Sequence, residues 1–475
     1  MGHPLGVYIV SLTEMWERFS YYIALSILVL FMMQVLHFSP EFSTFLYGII
    51  IGITYLFQLV SGYLADKYIS NRHSIIIGGI LMFISLLIFT YDASLFYLTL
   101  NVPIHSSLYF NYPELIFFIG VMVMTVGTGF FKVSVTSFVG LFYESGDESI
   151  DSAYTIFYMF INIGAFFAPF IAHFIVGVDN PSLYQYGFLT GAFIILFGTI
   201  LFVALQKYLC MPNGEPVGVV PISKDERFIK IKSDNEKFSN EKLTKVEINH
   251  IKVILLALIV VILFFGSFEQ ISTSLVVFDL IYVNNIIPFT NYTITPELFL
   301  SIPPLLIIIL SPIFLKITSM LSNRNRNPSS IFKFGFGLIF ASLGFVSLLL
   351  SLYTYNGNNS ISLIWLLIFS FFVVIGELMV IPVTFSFISK LTPPKYTSLM
   401  MGCMFAATAV GEFVAGLFAC AMPQSFGETT MLLNFIPIHG VMSFMWVFII
   451  MLAGSGLIWL LFKGRIKKLI NVEID

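Results

Sequence analysis

The chain is 475 residues long, 58% hydrophobic and only 10% charged, with 53 Phe and a mean hydropathy of +0.94. This composition excludes a soluble globular protein and describes a chain whose solvent is mostly lipid. The net charge of −3 gives no reason to expect a nucleic-acid partner, and the spacing of Cys210, Cys403 and Cys420 implies neither a disulfide framework nor a metal site.

Crossing a hydrocarbon core of about 30 Å takes about 20 apolar residues per helix. Twelve stretches meet that demand: 6–34, 43–65, 73–91, 114–142, 154–177, 184–206, 252–282, 297–320, 331–354, 362–389, 397–421 and 435–462. The first is no cleavable signal, since Glu14, Glu17 and Arg18 stand where a signal core would be uncharged. Arg18 and Lys132 lie deep in apolar stretches, whereas the other basic residues are read as belonging to alternate connections and the tail. Short Lys- and Arg-rich loops stay in the cytoplasm, so both termini are expected inside a cell membrane crossed many times. Residues 207–251, opened by Pro212 and Gly214, alternate basic and acidic residues. They are expected to form a solvated cytoplasmic strap between an N-terminal six-helix bundle, 1–206, and a C-terminal one with a short basic tail, 252–475. Ser70-Asn71-Arg72 after the second stretch recurs as Ser322-Asn323-Arg324 after the eighth, as a 6+6 repeat predicts. The expected fold is therefore all-α and polytopic, with twelve transmembrane helices in two pseudo-symmetric halves.

The loop from Gly62 to Arg72 resembles the signature loop of the major facilitator superfamily, with Ser70 replacing a usual Gly. There Gly62 implies a close helix approach and Asp66 a cap and partner across the loop, a structural role in holding the cytoplasmic side closed. Seven ionisable residues are counted well inside stretches: Glu14, Glu17, Arg18, Lys132, Glu269, Glu377 and Glu412. At roughly 2.5–3.5 kcal/mol each their burden approaches about 20 kcal/mol, more than the about 5–15 kcal/mol that stabilises a typical protein. They must face one another or a water-filled cavity. Five acids outnumber two bases, so a cation moving between carboxylates would switch one of them between holding and releasing a proton. Glu14, Glu17 and Arg18 share neighbouring faces of one helix, and Arg18 and Lys132 lie at similar depth. A static ion network bracing the bundle is the competing reading.

Glu14-Met15-Trp16-Glu17-Arg18-Phe19-Ser20-Tyr21-Tyr22 closely resembles the E-x-x-E-R-F-x-Y-Y signature of the proton-dependent oligopeptide transporters. Gly127 to Lys132, Phe157 to Gly164, Phe268-Glu269-Gln270 and Gly376-Glu377-Leu378 are similar to that family's motifs on its fourth, fifth, seventh and tenth helices. The resemblance implies that Glu14, Glu17, Arg18 and Lys132, joined by Glu269, couple proton movement to transport. It assigns Glu377 to the peptide amino terminus and to Lys132 when empty, and Lys132 and Glu269 to the neighbourhood of the substrate. Tyr21, Tyr22, Tyr55 and Asn162 match positions that touch the peptide backbone. From the residues alone, the tyrosines could equally be packing and Asn162 interhelical glue.

Three departures follow. Leu25 stands where the family carries an Arg that pairs with the seventh-helix Glu, Pro303 replaces a pocket Asn, and Glu412 matches nothing in the pattern. The expected function is import of di- and tripeptides with protons by alternating access, by a monomer, with no cofactor beyond the proton. A member redirected to another small solute is the alternative. A non-transporting receptor or an enzyme would need a sensory domain or a catalytic constellation, and the seven His residues are scattered.

Overall fold

The computed structural model describes residues 3–99, 112–143, 147, 149–176, 181–211, 213–221, 243–284, 301–322, 324, 328–355, 361–423, 425–432 and 435–470. Among these, twelve helices are long and apolar enough to cross a membrane. Residues 222–242 of the expected strap, 297–300 of the eighth stretch, His105 and Asn323 lie outside the described residues. The chain divides into two compact units: Met1–Lys242 with Thr392–Ala406, and Leu243–Leu391 with Ala407–Asp475.

The first unit holds α1 (Leu5–Gln34), α2 (Pro40–Lys67), α3 (Asn71–Thr99), α4 (Tyr112–Gly140), α5 (Ile150–Val176) and α6 (Tyr184–Ala204). α1 packs on α5 and α6, α3 on α4 and α6, and α2 on α4. Ser39 caps α2 through the Phe42 amide, with Pro40 at its first position. The core is aromatic: Phe31 and Phe89 each lie 5.3 Å from Phe188, centroid to centroid. Beside that cluster Asp92 is fully buried, and neither carboxyl oxygen finds a hydrogen-bond partner. Removing such a group relieves about 1–3 kcal/mol. Asp92→Leu is therefore expected to raise the midpoint of thermal unfolding in detergent.

The second unit holds α7 (Lys245–Phe268), α8 (Ser274–Tyr282), α9 (Ile302–Ser322), α10 (Ser330–Thr354), α11 (Ile364–Leu391), α13 (Gly440–Leu461) and α14 (Lys463–Ile470). α12 (Thr397–Ala419) contributes residues to both units. α10 packs on α11 and α13, and Trp459 donates its indole N–H to the Ile331 carbonyl at 3.0 Å. Two small strand pairs, Val283–Asn284 with Ile361–Ser362 and Thr429–Leu432 with Ile436–His439, were not foreseen in the sequence.

Three expectations change. The seventh stretch is not one helix: it breaks after Phe268 into a 3₁₀ turn, Glu269–Ile271, before α8 resumes. The polar strap is partly docked, because Arg72 donates to the carbonyls of Val217, Gln206 and Leu209 at 2.7, 3.2 and 2.6 Å, and Leu209 and Val217 are fully buried. Its far end belongs to α7, whose Thr244 and Glu247 form a capping box. Lys316 and Lys333, finally, sit within helices rather than connections, and Lys333 is buried.

Asp66 does not cap its own loop. Its carboxylate accepts the backbone N–H groups of Ser398 and Leu399, at 3.0 and 2.9 Å, at the amino end of α12. A carboxylate there complements both the free amides and the helix dipole. Gly62 makes the approach possible: a Cβ on it would lie 2.5 Å from the Ser398 carbonyl oxygen, and one on Gly402 2.6 Å from that of Gln58.

Candidate functional site

Helical spacing places Glu14, Glu17 and Arg18 on adjoining faces of α1. Arg18 forks onto the neighbouring Glu17 carboxylate: Nε donates to Oε2, and Nη2 to Oε1 at 2.5 Å. Its Nε also lies 3.4 Å from Glu14 Oε1, and Lys132 Nζ on α4 reaches the same oxygen at 3.9 Å. Glu14 and Glu17 are fully buried, Arg18 is 2% exposed and Lys132 7%. The four side chains thus form one chain of alternating charge, Glu17–Arg18–Glu14–Lys132, which hydrocarbon tolerates only because each charge has a partner.

The two acids are held differently. Glu17 takes a bidentate guanidinium, the strongest arrangement available to a carboxylate, whereas neither oxygen of Glu14 has a hydrogen bond. Glu14 is held by ion pairs at longer range, between two cations.

The surroundings fix this geometry. Gly164 of α5 lies against α1, and a Cβ there would come within 2.5 Å of the Met15 carbonyl oxygen. The guanidinium of Arg18 stands 4.6 Å from the Tyr21 ring centroid and 5.8 Å from that of Tyr22, and the two rings meet edge to face. Lys132 Nζ is 5.1 Å from the Phe405 ring centroid. Tyr22 and Tyr55 are half-buried. Asn162 turns its amide back to its own helix, donating to the Tyr158 carbonyl at 2.9 Å. Leu25, one turn beyond Tyr21, lines a pocket of about 20 Å³ with Leu28, Ile50, Val121 and Met124, room for about one water molecule.

In the second unit Glu269 stands where α7 ends, and its Oε2 accepts the Ser272 hydroxyl at 2.7 Å. The next residue staples the break. Gln270 Nε2 donates to the Gly266 and Ala415 carbonyls at 2.9 and 3.2 Å, and its Oε1 accepts the Ser274 hydroxyl at 2.5 Å. This fully buried amide therefore ties α7, α8 and α12 together beside Glu269. Glu377 on α11 is 2% exposed and follows Gly376, whose closeness to α10 would put a Cβ 2.6 Å from the Gly337 carbonyl oxygen. Glu412 on α12 is half-buried and follows Gly411, which rests on α7. Pro303 is buried in the first turn of α9, a position that tolerates it.

The structure brings Glu14, Glu17, Arg18, Lys132, Tyr21 and Tyr22 together in the first unit and sets Glu269 and Glu377 in the second. Sequence reasoning missed Gln270, although it lay inside a quoted motif. It also omitted three buried acids: Asp279 within the seventh stretch, Asp92 one residue past the third, and Asp151 just before the fifth.

The family model described as PTR2, POT family, matches residues 72–210 and 222–432. The peptide transporter YePEPT of Yersinia enterocolitica is 26% identical, covering 88% of this chain and 87% of its own. YclF, an uncharacterized transporter of Bacillus subtilis, is 28% identical, covering 88% of each chain. The di-/tripeptide transporter of Lactococcus lactis is 26% identical, over 87% of this chain and 88% of its own. Among solved structures, a peptide transporter POT in complex with sulfate superposes with a TM-score of 0.65 at 24% identity, covering 99% of this chain and 96% of that one. A POT family transporter bound to a thioalcohol-conjugated peptide gives 0.68 at 21% identity and 98% of both chains. The fold is that of the major facilitator superfamily. The protein is a multi-pass membrane protein that belongs to the POT family.

Proposed function

We propose that the protein is a proton-coupled symporter that imports di- and tripeptides by alternating access. The observation that carries this reading is the buried chain Glu17–Arg18–Glu14–Lys132. Glu14 takes the proton, because it has the weaker hold on its partners. When it is neutral, Lys132 loses one acidic partner and turns to the peptide carboxylate in the loaded carrier. Glu377 receives the amino terminus, and Tyr21, Tyr22, Tyr55 and Asn162 line the backbone's path. The relatives' names, peptide transporter and di-/tripeptide transporter, support the substrate class. Both termini lie in the cytoplasm, and one chain suffices. Uptake of labelled dialanine into proteoliposomes tests the reading: accumulation only under an inward proton gradient supports it, and gradient-independent or absent uptake overturns it.

Glu269 joins the proton pathway and the substrate's surroundings, and Gln270 keeps it in place. Gln270→Leu would leave the Gly266 and Ala415 carbonyls without this donor. Peptide KM is expected to rise about tenfold, the equivalent of about 1.4 kcal/mol, with Gln270→Asn less affected. Uptake kinetics on both variants check it.

Leu25 favours a second reading in which the substrate needs no free carboxylate. One charged hydrogen bond is worth about 1.5–3 kcal/mol. C-terminally amidated dipeptides are therefore expected to compete nearly as well as free ones, and Leu25→Arg to restore discrimination by about tenfold. Competition against dialanine uptake decides it.

A further inference from the structure

The last helix is not spent on the transport pathway. α14 reads Lys463-Gly464-Arg465-Ile466-Lys467-Lys468-Leu469-Ile470, four cations and no acid in eight residues. Only Phe462 separates it from the end of α13, at a point where Leu461 is 81% exposed and Phe462 43%. These two exposed apolar side chains mark where the hydrocarbon stops, so α14 starts at headgroup depth.

It is seated rather than loose. Ile466 is 2% exposed, α14 packs on α7, and the Ile470 carbonyl lies 3.0 Å from His250 Nε2, in the second turn of α7. With a rise of about 1.5 Å per residue, α14 spans about 12 Å between the ends of two spanning helices. That course runs along the membrane face and not into it. On a helical projection Ile466 and Ile470 share one stripe, while Lys467, Lys468 and Arg465 occupy the remaining arc and Lys463 flanks the stripe. All four cations are exposed. Lys463 is set 5.6 Å from the Phe332 ring centroid and Arg465 5.2 Å from that of Phe462, and among the described residues none of the four makes an ion pair with an acid.

We propose that α14 is a docking surface for anionic phospholipid headgroups, with Lys463, Arg465, Lys467 and Lys468 taking their phosphates in the leaflet that borders the end of α13. Positive charge that only reports topology needs no fixed geometry. Here an apolar anchor and a backbone latch hold an amphipathic helix of about two turns at the interface, the arrangement by which basic juxtamembrane segments concentrate anionic lipid. Because the anchor is α7, the bound headgroups rest against the helix that leads to Glu269.

The test uses the full-length protein in vesicles of phosphatidylcholine mixed with phosphatidylglycerol, extracted gently and weighed intact with its retained lipids. The expected result is enrichment of phosphatidylglycerol by about tenfold or more, lost in the combined Lys463→Gln, Arg465→Gln, Lys467→Gln, Lys468→Gln variant and weakened in Ile466→Ser, which keeps the charges but unseats them. Should the fourfold variant fail to fold, the unmodified protein at raised salt serves instead, since screening of exposed charges must abolish the enrichment. Equal enrichment in the unmodified and fourfold variants, enrichment insensitive to salt, or no preference over phosphatidylcholine each overturns the proposal. So does displacement of the lipid by an acidic peptide or an oligonucleotide at lower concentration, which would assign the surface to a soluble polyanion.

Discussion

Arg18→Met is expected to yield a chain that is poorly recovered in folded form and catalyses no uptake. The guanidinium forks onto Glu17, lies 3.4 Å from Glu14 and stacks against Tyr21. Methionine fills much of that volume and supplies no charge, so the fully buried Glu17 loses both of its donors. Breaking one partner from a buried pair costs about 3–5 kcal/mol, and total stabilities are only about 5–15 kcal/mol. Thermal unfolding in detergent measures the loss. Adding Glu17→Gln to Arg18→Met should recover part of the stability without recovering transport, because the amide removes the stranded charge and leaves the coupling chain cut. An Arg18→Met protein as stable as the unmodified one would show that Glu17 is satisfied by something other than this fork.

Glu14→Gln should abolish gradient-driven accumulation while leaving peptide exchange measurable. The amide keeps the shape between Arg18 and Lys132 and cannot carry a proton. Each proton moved down 100 mV is worth about 2.3 kcal/mol, so one coupled proton supports about fifty-fold accumulation, all of which is forfeited. Glu17→Gln is the informative contrast: it also disturbs the fork on Arg18, so exchange should fall along with accumulation. Measuring both fluxes in the same proteoliposomes separates the roles. Undiminished accumulation by Glu14→Gln would move the proton to Glu17.

The twelve crossings and the first-helix network were legible because hydropathy and an i, i+4 spacing are local properties. Glu14 and Arg18 meet as that spacing requires. The fork between adjacent Glu17 and Arg18 was not legible, since neighbours on a helix diverge and only long side chains folded by their surroundings can meet. The break at Glu269 was hidden because hydropathy runs unbroken through 252–282; what ends the helix is local capture of backbone and side-chain groups by Ser272, Thr273 and Ser274. Asp66 could be recognised as a cap but its partner could not, because Ser398 is 332 residues away in sequence. Arg72 read as one more loop cation, and only the folded chain reveals the three carbonyls it ties down.

The membership of Thr392–Ala406 in the first unit has a consequence for anyone dividing the gene. A cut in the polar segment after α6 looks harmless by hydropathy, yet an isolated amino-terminal fragment would lack its own last piece. Asp66 would lose both amide donors, and Gly62 would face a gap where the Ser398 carbonyl had been. Independent folding of an amino-terminal half is therefore not something this chain offers to fission: any cut has to leave Thr392–Ala406 with the first unit.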